Sequence, residues 1–376
     1  MAIERVGIIG GGQLAKMTGE SAKKLGIELV VQTPKSNDPA VSVAKEVILA
    51  PVDDSVATDR LATHCDVITF ENEFINLEKL QPLAEKGVCF RPRLEALAPI
   101  LDKYQQRCYL KEIGLPVPKF IAVESQKAIE SPFGYPVVLK ARRHGYDGRG
   151  TFIIKDRQEL KDTWERLERP SMMLEEFVPF DRELAVIAAR SLAGDIVVYP
   201  VVETKQKEQV CRWVIAPAVV SSTVISQVES ISRTLLEKLD VVGLFGIELF
   251  LTSDDKVLVN EIAPRTHNSG HYSLDACQTS QFEMHLRAVA GLSLASPQLN
   301  CDRALMVNLL GYEHSQDDYQ QKRSQLAQIP QASVHWYGKT ESRPGRKLGH
   351  VTVLFDRENL KLWEKTARQI ESIWYG

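Results

Sequence analysis

Glu248 and Glu261 lie in two short apolar runs, residues 246–251 and 256–261, that read as strands joined by a turn at 252–255. A hairpin closed symmetrically on Asp254 and Asp255 sets the two carboxylates directly opposite each other, about 5 Å apart, where like charges repel. A cation between them would remove that cost. Two carboxylates and the Asn260 amide, completed by water and phosphate oxygens, form the hard oxygen donor set that magnesium takes beside a nucleotide. The competing reading is a pair of solvated glutamates near strand ends, and the apolar strand around Glu248 argues against it.

A second chemical signal spans residues 140–151. Lys140, Arg142 and Arg143 precede Gly145, Gly148 and Gly150, between two expected strands. Glycines let backbone amides approach a phosphate, and the cations supply charge. The spacing is not that of a Walker A loop, and a glycine-rich hairpin with a solvated basic rim is the alternative. Such a loop also suits a lid that opens for a nucleotide and closes over it.

An earlier glycine run, Gly10 and Gly12 followed by Ala15, approximates a dinucleotide fingerprint. The acidic residue that should follow at the end of the second strand is missing, because that strand ends in Gln32, Thr33 and Pro34. A dehydrogenase is therefore disfavoured. The loop is expected to hold some other anion or only to turn the chain.

The elements that must carry these residues divide into three parts. Residues 5–9, 28–31 and 65–70 read as strands with a helix at 13–25, giving an α/β layer on a parallel sheet over residues 1–100. Prolines at 92, 99, 116 and 118 surround a helix at 101–113. Strands at 136–140, 151–154, 172–174 and 182–187 suggest one mostly antiparallel sheet, and helices at 226–239 and 281–290 flank the hairpin. A smaller β-rich part follows from 301 to 376, with strands at 304–309 and 350–354 and a last helix at 358–373. Its predecessor spans 101–300, with a lid at about 118–180.

With 376 residues, 44% hydrophobic and 25% charged, the composition is that of a globular protein with room for two or three domains. A net charge of -3 gives no general attraction to nucleic acid or anionic membrane, so an anionic ligand must be met by local cations. No apolar run reaches the ~18 residues that span a bilayer, and the first residues lead into a strand, which suggests a cytoplasmic protein. Cys65, Cys89, Cys108, Cys211, Cys277 and Cys301 form no C-x-x-C pair and read as thiols rather than a disulfide frame or zinc site.

Together these motifs resemble the ATP-grasp superfamily and, within it, the N5-carboxyaminoimidazole ribonucleotide synthetases. The resemblance covers nearly the whole chain: residues 10–14, the lid segment 145–150, 175–178, 260–271, 279–283, and the pair of segments 337–339 and 345–350. It implies an N-terminal Rossmann-like domain, a two-lobed ATP-grasp domain and a small C-terminal domain, acting as a homodimer. It also implies ATP- and bicarbonate-dependent carboxylation of aminoimidazole ribonucleotide through carboxyphosphate. By the same resemblance Lys103 and Lys140 contact the ATP phosphates, and Gly145, Tyr146, Asp147, Gly148, Arg149, Gly150 and Thr151 cover them. Glu175, Glu176, Phe177 and Val178 line the adenine, and Glu183 holds the ribose. Magnesium, or manganese in its place, falls to Glu248, Asn260 and Glu261. Arg265 and His267 hold bicarbonate and carboxyphosphate, with Asn268 beside them. Lys339 and Arg346 clamp the ribonucleotide phosphate, Tyr146 and Asp147 lie near its base and ribose, and Asp147 or His267 takes the proton.

Departures from the pattern are Thr204, Gln206, Thr266 and Gln32-Thr33, together with Arg107 where a lysine is frequent. None removes an expected metal or phosphate ligand. Rival readings are another ATP-grasp ligase with a different acceptor, and a nucleotide-binding regulator that does not turn ATP over.

Overall fold

The computed structural model describes residues 3–124, 129–143, 150–168 and 170–376. Its first strand, β1 (Arg5–Ile9), is an almost unbroken apolar run, as a strand covered on both faces requires. It pairs in parallel with β2 (Glu28–Thr33) and β4 (Val67–Phe70), and β3 (Glu46–Leu49) lies outside β2, for a strand order of β3-β2-β1-β4. The helix Gln13–Leu25 begins directly after the glycine run and stops at Gly26, whose φ of 68° only glycine adopts cheaply.

Four strands form the lid sheet: β5 (Phe120–Val123), β6 (Val137–Ala141), β7 (Thr151–Ile154) and β8 (Met172–Glu176), in the order β5-β8-β6-β7 and antiparallel throughout. Leu160 and Trp164 of the helix Arg157–Arg166 pack on Val137, Leu139 and Leu174, so the lid has a small core of its own.

The remaining strands build one nine-stranded sheet. They are β9 (Phe180–Arg190), β10 (Ile196–Val198), β11 (Val202–Lys207), β12 (Val210–Ala216), β13 (Gly243–Thr252), β14 (Val257–Ala263), β15 (Arg303–Leu310), β16 (Ala332–Trp336) and β17 (Lys347–Phe355). Their order is β14-β13-β9-β11-β12-β15-β17-β16, with β10 on the side of β9.

One feature differs from the sequence expectation. Residues 182–187 do not join the lid sheet; they lie in β9, which runs eleven residues and pairs with β13 along nearly its whole length. Alternation of Leu184, Val186 and Ala188 with Ala185, Ile187 and Ala189 buries both faces of β9, one in each of two core clusters, and that placement needs a large sheet. The C-terminal strands also extend this sheet, because β15 pairs with β12 from Trp213–Val307 to Ala216–Ala304. The largest core joins the N-terminal layer to this sheet through Leu97 and Ile100 against Leu235, Leu236 and Phe245. Each fully buried side chain of this kind contributes about 1.5–3 kcal/mol.

Candidate active site

Glu248 and Glu261 do face each other across β13 and β14, by a route different from symmetrical closure. The turn closes one residue earlier: the Thr252 N–H donates to the Lys256 carbonyl at 3.0 Å, and Asp255 takes a left-handed φ of 58°. On that register Glu248 would meet Asn260. A β-bulge between the Leu249–Val259 and Glu248–Glu261 pairs absorbs Asn260 and restores the opposition of the carboxylates. Bulges re-aim side chains beside functional sites, and here the Asn260 side-chain Oδ1 accepts from Lys140 Nζ at 3.1 Å.

A protein cation stands at one of the two carboxylates. Lys103, on the first turn of the helix Lys103–Glu112, sets its ammonium 2.7 Å from Glu261 Oε2. Burial pulls the Glu261 carboxyl upward, but Lys103, with Lys140 behind it, holds the group below the usual carboxylate range. Glu248 has no such partner, since His267 Nε2 stands 3.5 Å from its Oε1. Burial, then the Glu261 and Glu183 charges, push Glu248 up to about 7. Burial alone carries Glu183 to about 7 as well.

Glu175 is a buried carboxylate, not a solvated strand end. Arg107 Nε donates to its Oε1 at 2.6 Å, and Lys140 Nζ sits 2.5 Å from its Oε2. Two cations on one carboxylate override the burial effect and hold Glu175 low. Lys140 is pushed below its ordinary value by burial, against the pull of Glu175, and by Arg107 and Lys103 nearby. A buried ammonium flanked by further cations is a place for an incoming phosphate.

The segment after β14 turns under the carboxylates. Arg265 Nε lies 2.9 Å from Glu73 Oε1, on the loop after β4, and its Nη1 donates to the Thr266 carbonyl. His267 is held at the backbone by Gln281, whose Oε1 accepts from His267 N at 2.9 Å and whose Nε2 donates to His267 O at 2.8 Å. The imidazole Nδ1 meets Ser269 Oγ at 2.8 Å. Asn268 forms a reciprocal amide pair with Asn308, at 2.9 and 2.7 Å.

These side chains converge on one cleft of about 930 Å³, which Lys103, Lys140, Thr151, Glu183, Arg265 and Asn268 all line. Glu176, Phe177 and Val178 line it too, and Thr204, opposite Glu183 in the β9–β11 register, reaches the same wall. The lining extends to Lys347. Lys339 Nζ instead donates to the Lys347 carbonyl at 2.8 Å, and Arg346 Nη1 to the Glu341 carbonyl at 2.8 Å. Gly150 adopts φ 80° where its carbonyl accepts from Ala141 N. Gly145, Tyr146, Asp147, Gly148 and Arg149 lie outside the described residues.

The first glycine run holds an anion belonging to the chain itself. Glu71, at the end of β4, accepts from the N–H groups of Gly12 at 2.7 Å, Leu14 at 3.1 Å and Ala15 at 3.3 Å. Its carboxylate thus takes the helix N-terminus where a pyrophosphate would otherwise sit. A Cβ on Gly12 would stand 2.5 Å from Glu71 Oε1, so the glycine is needed for the carboxylate's approach. Gln32 is also consumed structurally, donating to the Pro51 and Asp54 carbonyls and accepting from Thr58.

Sequence reasoning missed Glu71 and Glu73, and gave no role to Arg107, Gln281 and Lys347, though it marked Arg107 as a departure and the other two within resembling segments. For Glu71 and Glu73 a signal existed: they follow the C-terminal end of a strand in a parallel sheet, where ligand sites of such sheets gather.

A two-lobed cleft with carboxylates on an antiparallel hairpin and lysines from the facing elements defines an ATP-grasp protein, and the ATP-grasp domain model matches residues 108–282. Models of the ribonucleotide synthetase preATP-grasp domain and of the phosphoribosylaminoimidazole carboxylase C-terminal domain match 3–100 and 304–361. The chain is 53% identical to the N5-carboxyaminoimidazole ribonucleotide synthase of Synechocystis sp., over 98% of each chain. Among solved structures it resembles carboxyaminoimidazole ribonucleotide synthase from Aspergillus clavatus complexed with ATP, at 32% identity and a TM-score of 0.91, covering 99% and 98% of the two chains. The Aspergillus clavatus enzyme in complex with ADP and 5-aminoimidazole ribonucleotide superposes with a TM-score of 0.90 at 31% identity, over 99% and 98%. The chain belongs to the N5-carboxyaminoimidazole ribonucleotide synthase family.

Proposed function

We propose that this chain carboxylates the exocyclic amine of 5-aminoimidazole ribonucleotide in purine biosynthesis, consuming ATP and bicarbonate and releasing ADP and phosphate. The observation that carries this reading is the convergence, in one cleft, of a carboxylate pair on β13 and β14 with Lys103, Lys140, Arg265 and His267. The family to which the chain belongs supplies the substrates.

ATP would lie between the lid and the large sheet, its adenine along the backbone of 175–178, its ribose at Glu183 and its phosphates at Lys103 and Lys140. The oxygen donors of Glu248, Asn260 and Glu261 fit magnesium: they are hard, the two carboxylates face each other, and Glu248 is driven up to about 7 by burial and the Glu261 and Glu183 charges. Bound there, the ion would neutralise charge on the transferred phosphoryl group. Manganese would suit the same donors.

A bicarbonate oxygen attacks the γ-phosphorus, the bond to the bridging oxygen of ADP breaks, and carboxyphosphate forms. Such transfers need mostly positioning and charge neutralisation. Carboxyphosphate separates into phosphate and carbon dioxide, whose carbon is attacked by the amine nitrogen, with loss of one N–H proton. Arg265, steadied by Glu73, and His267, with its Nε2 toward Glu248, would hold the bicarbonate, and Asn268 would shape the floor beneath them. Asp147 or His267 would accept the proton, Tyr146 would lie against the base, and Lys339 and Arg346 would take the 5′-phosphate.

A homodimer in the cytoplasm, without nucleic acid, completes the proposal; sedimentation of the purified protein tests the dimer. ADP release with magnesium, ATP and bicarbonate tests the activity. Strong stimulation by the ribonucleotide supports it, whereas hydrolysis indifferent to the ribonucleotide moves the assignment to another acceptor.

A further inference from the structure

Arg107 is outside every group assigned above to ATP, metal or substrate, yet it is only 2% exposed and its guanidinium binds Glu175 and the backbone of β14 beside Glu261. Nε donates to Glu175 Oε1 at 2.6 Å, Nη1 to the Val259 carbonyl at 2.7 Å and Nη2 to the Asn260 carbonyl at 2.8 Å. Lys140 closes the circle, with its ammonium on Glu175 and on the Asn260 side chain. Four residues from four elements therefore form a ring: Arg107 from the helix Lys103–Glu112, Glu175 from β8, Lys140 from β6, and Asn260 from β14.

The ring has a mechanical consequence. β14 is the outermost strand at its end of the large sheet, with the Val259 N–H turned away from β13 to the Pro116 carbonyl, and the Val259 and Asn260 carbonyls take their donors from Arg107. The planar fork of Arg107 supplies both while a third N–H holds the lid strand β8; a single ammonium cannot span all three acceptors. The bulge is what turns Glu261 to face Glu248. We infer that Arg107 is a positioning residue for metal and phosphate binding: it fixes the Asn260–Glu261 bulge and, through Glu175, the Lys140 ammonium, in a single frame shared by the lid and the large sheet. This rests on the reading of Glu248, Asn260, Glu261 and Lys140 as the metal and phosphate ligands.

The test is the dissociation constant of manganese with ADP bound, read by electron paramagnetic resonance, and the magnesium concentration that gives half-maximal ADP formation, both measured beside KM for the ribonucleotide; the two metal readouts should shift together. Arg107→Met should raise the magnesium requirement by about ten- to a hundred-fold, the range for groups that orient metal ligands, with ribonucleotide KM unchanged. Arg107→Lys, which keeps a cation on Glu175 but cannot also serve both β14 carbonyls, should recover only part of that loss. Glu175→Gln, nearly isosteric, reads the same link from the lid side and serves if Arg107→Met does not fold; it should shift the magnesium requirement in the same direction. Because the two act through one ring, the double variant should be little worse than Arg107→Met alone. A wild-type magnesium requirement in Arg107→Met or Glu175→Gln overturns the inference, as does an equal rise in ribonucleotide KM. Glu261→Ala run in parallel separates the two levels: if it keeps normal turnover, the ligand assignment itself has failed, and if it is inactive while both ring variants are normal, only the role of Arg107 has.

Discussion

Replacing Glu248 by Gln should make the metal-free protein more stable while ending its activity. The wild-type carboxyl is carried from 4.5 to about 7 by burial and by the Glu261 and Glu183 charges, which makes its ionised form roughly 3 kcal/mol less favourable than in an unfolded chain. The side chain is 33% exposed to the cleft, and solvent screening reduces that figure to about 1–2 kcal/mol. The sign is fixed by linkage. A carboxyl whose pKa rises on folding carries no penalty below its unfolded value, and the full penalty once pH exceeds the folded one. Gln keeps the size and an acceptor oxygen but cannot ionise. Thermal unfolding in a chelator should therefore show the variant melting about 2–6 °C above wild type near pH 8, with the difference shrinking as pH falls and vanishing at about pH 4, below the unfolded value. Turnover with magnesium should be lost at either pH. A variant that melts lower near pH 8, or by the same margin at both pH values, would refute the electrostatic account of the carboxylate pair.

Three other outcomes follow from the same geometry. Glu261→Ala removes the partner of Lys103 and one metal oxygen, and ADP formation should fall to background at any magnesium concentration tested. Glu71→Ala strips three backbone N–H groups of their acceptor, and urea unfolding should report a loss of about 1–3 kcal/mol. Lys339→Ala should leave ATP and magnesium dependence intact while raising the ribonucleotide KM, as steady-state kinetics would read.

The legible part of the fold was local. Apolar runs and glycine stops marked β1, the helix Gln13–Leu25 and the two strands around Glu248 and Glu261, because each is set by residues a few positions apart. What stayed hidden depended on partners far along the chain. The bulge at Asn260 could not be read from the hairpin, since two shifts of register, one at the turn and one at residue 260, cancel in the pairing of Glu248 with Glu261. Glu71 plugs the first helix from 56 to 59 positions away. Arg107 finds Glu175 across 68 positions, and nothing near either residue in sequence announces the pairing. β9 was assigned to the wrong sheet because alternation marks a strand without saying which neighbour it takes. Of the two opposed carboxylates, Glu261 carries a protein cation, Lys103, and Glu248 has the His267 ring at 3.5 Å.

The most direct test of the central claim is to follow carbon from labelled bicarbonate, with magnesium, ATP and 5-aminoimidazole ribonucleotide, by carbon NMR. The account predicts label on the exocyclic nitrogen of the ribonucleotide as a carbamate, formed in step with ADP and absent when ATP is omitted. ADP accumulating while the ribonucleotide stays unlabelled would contradict it.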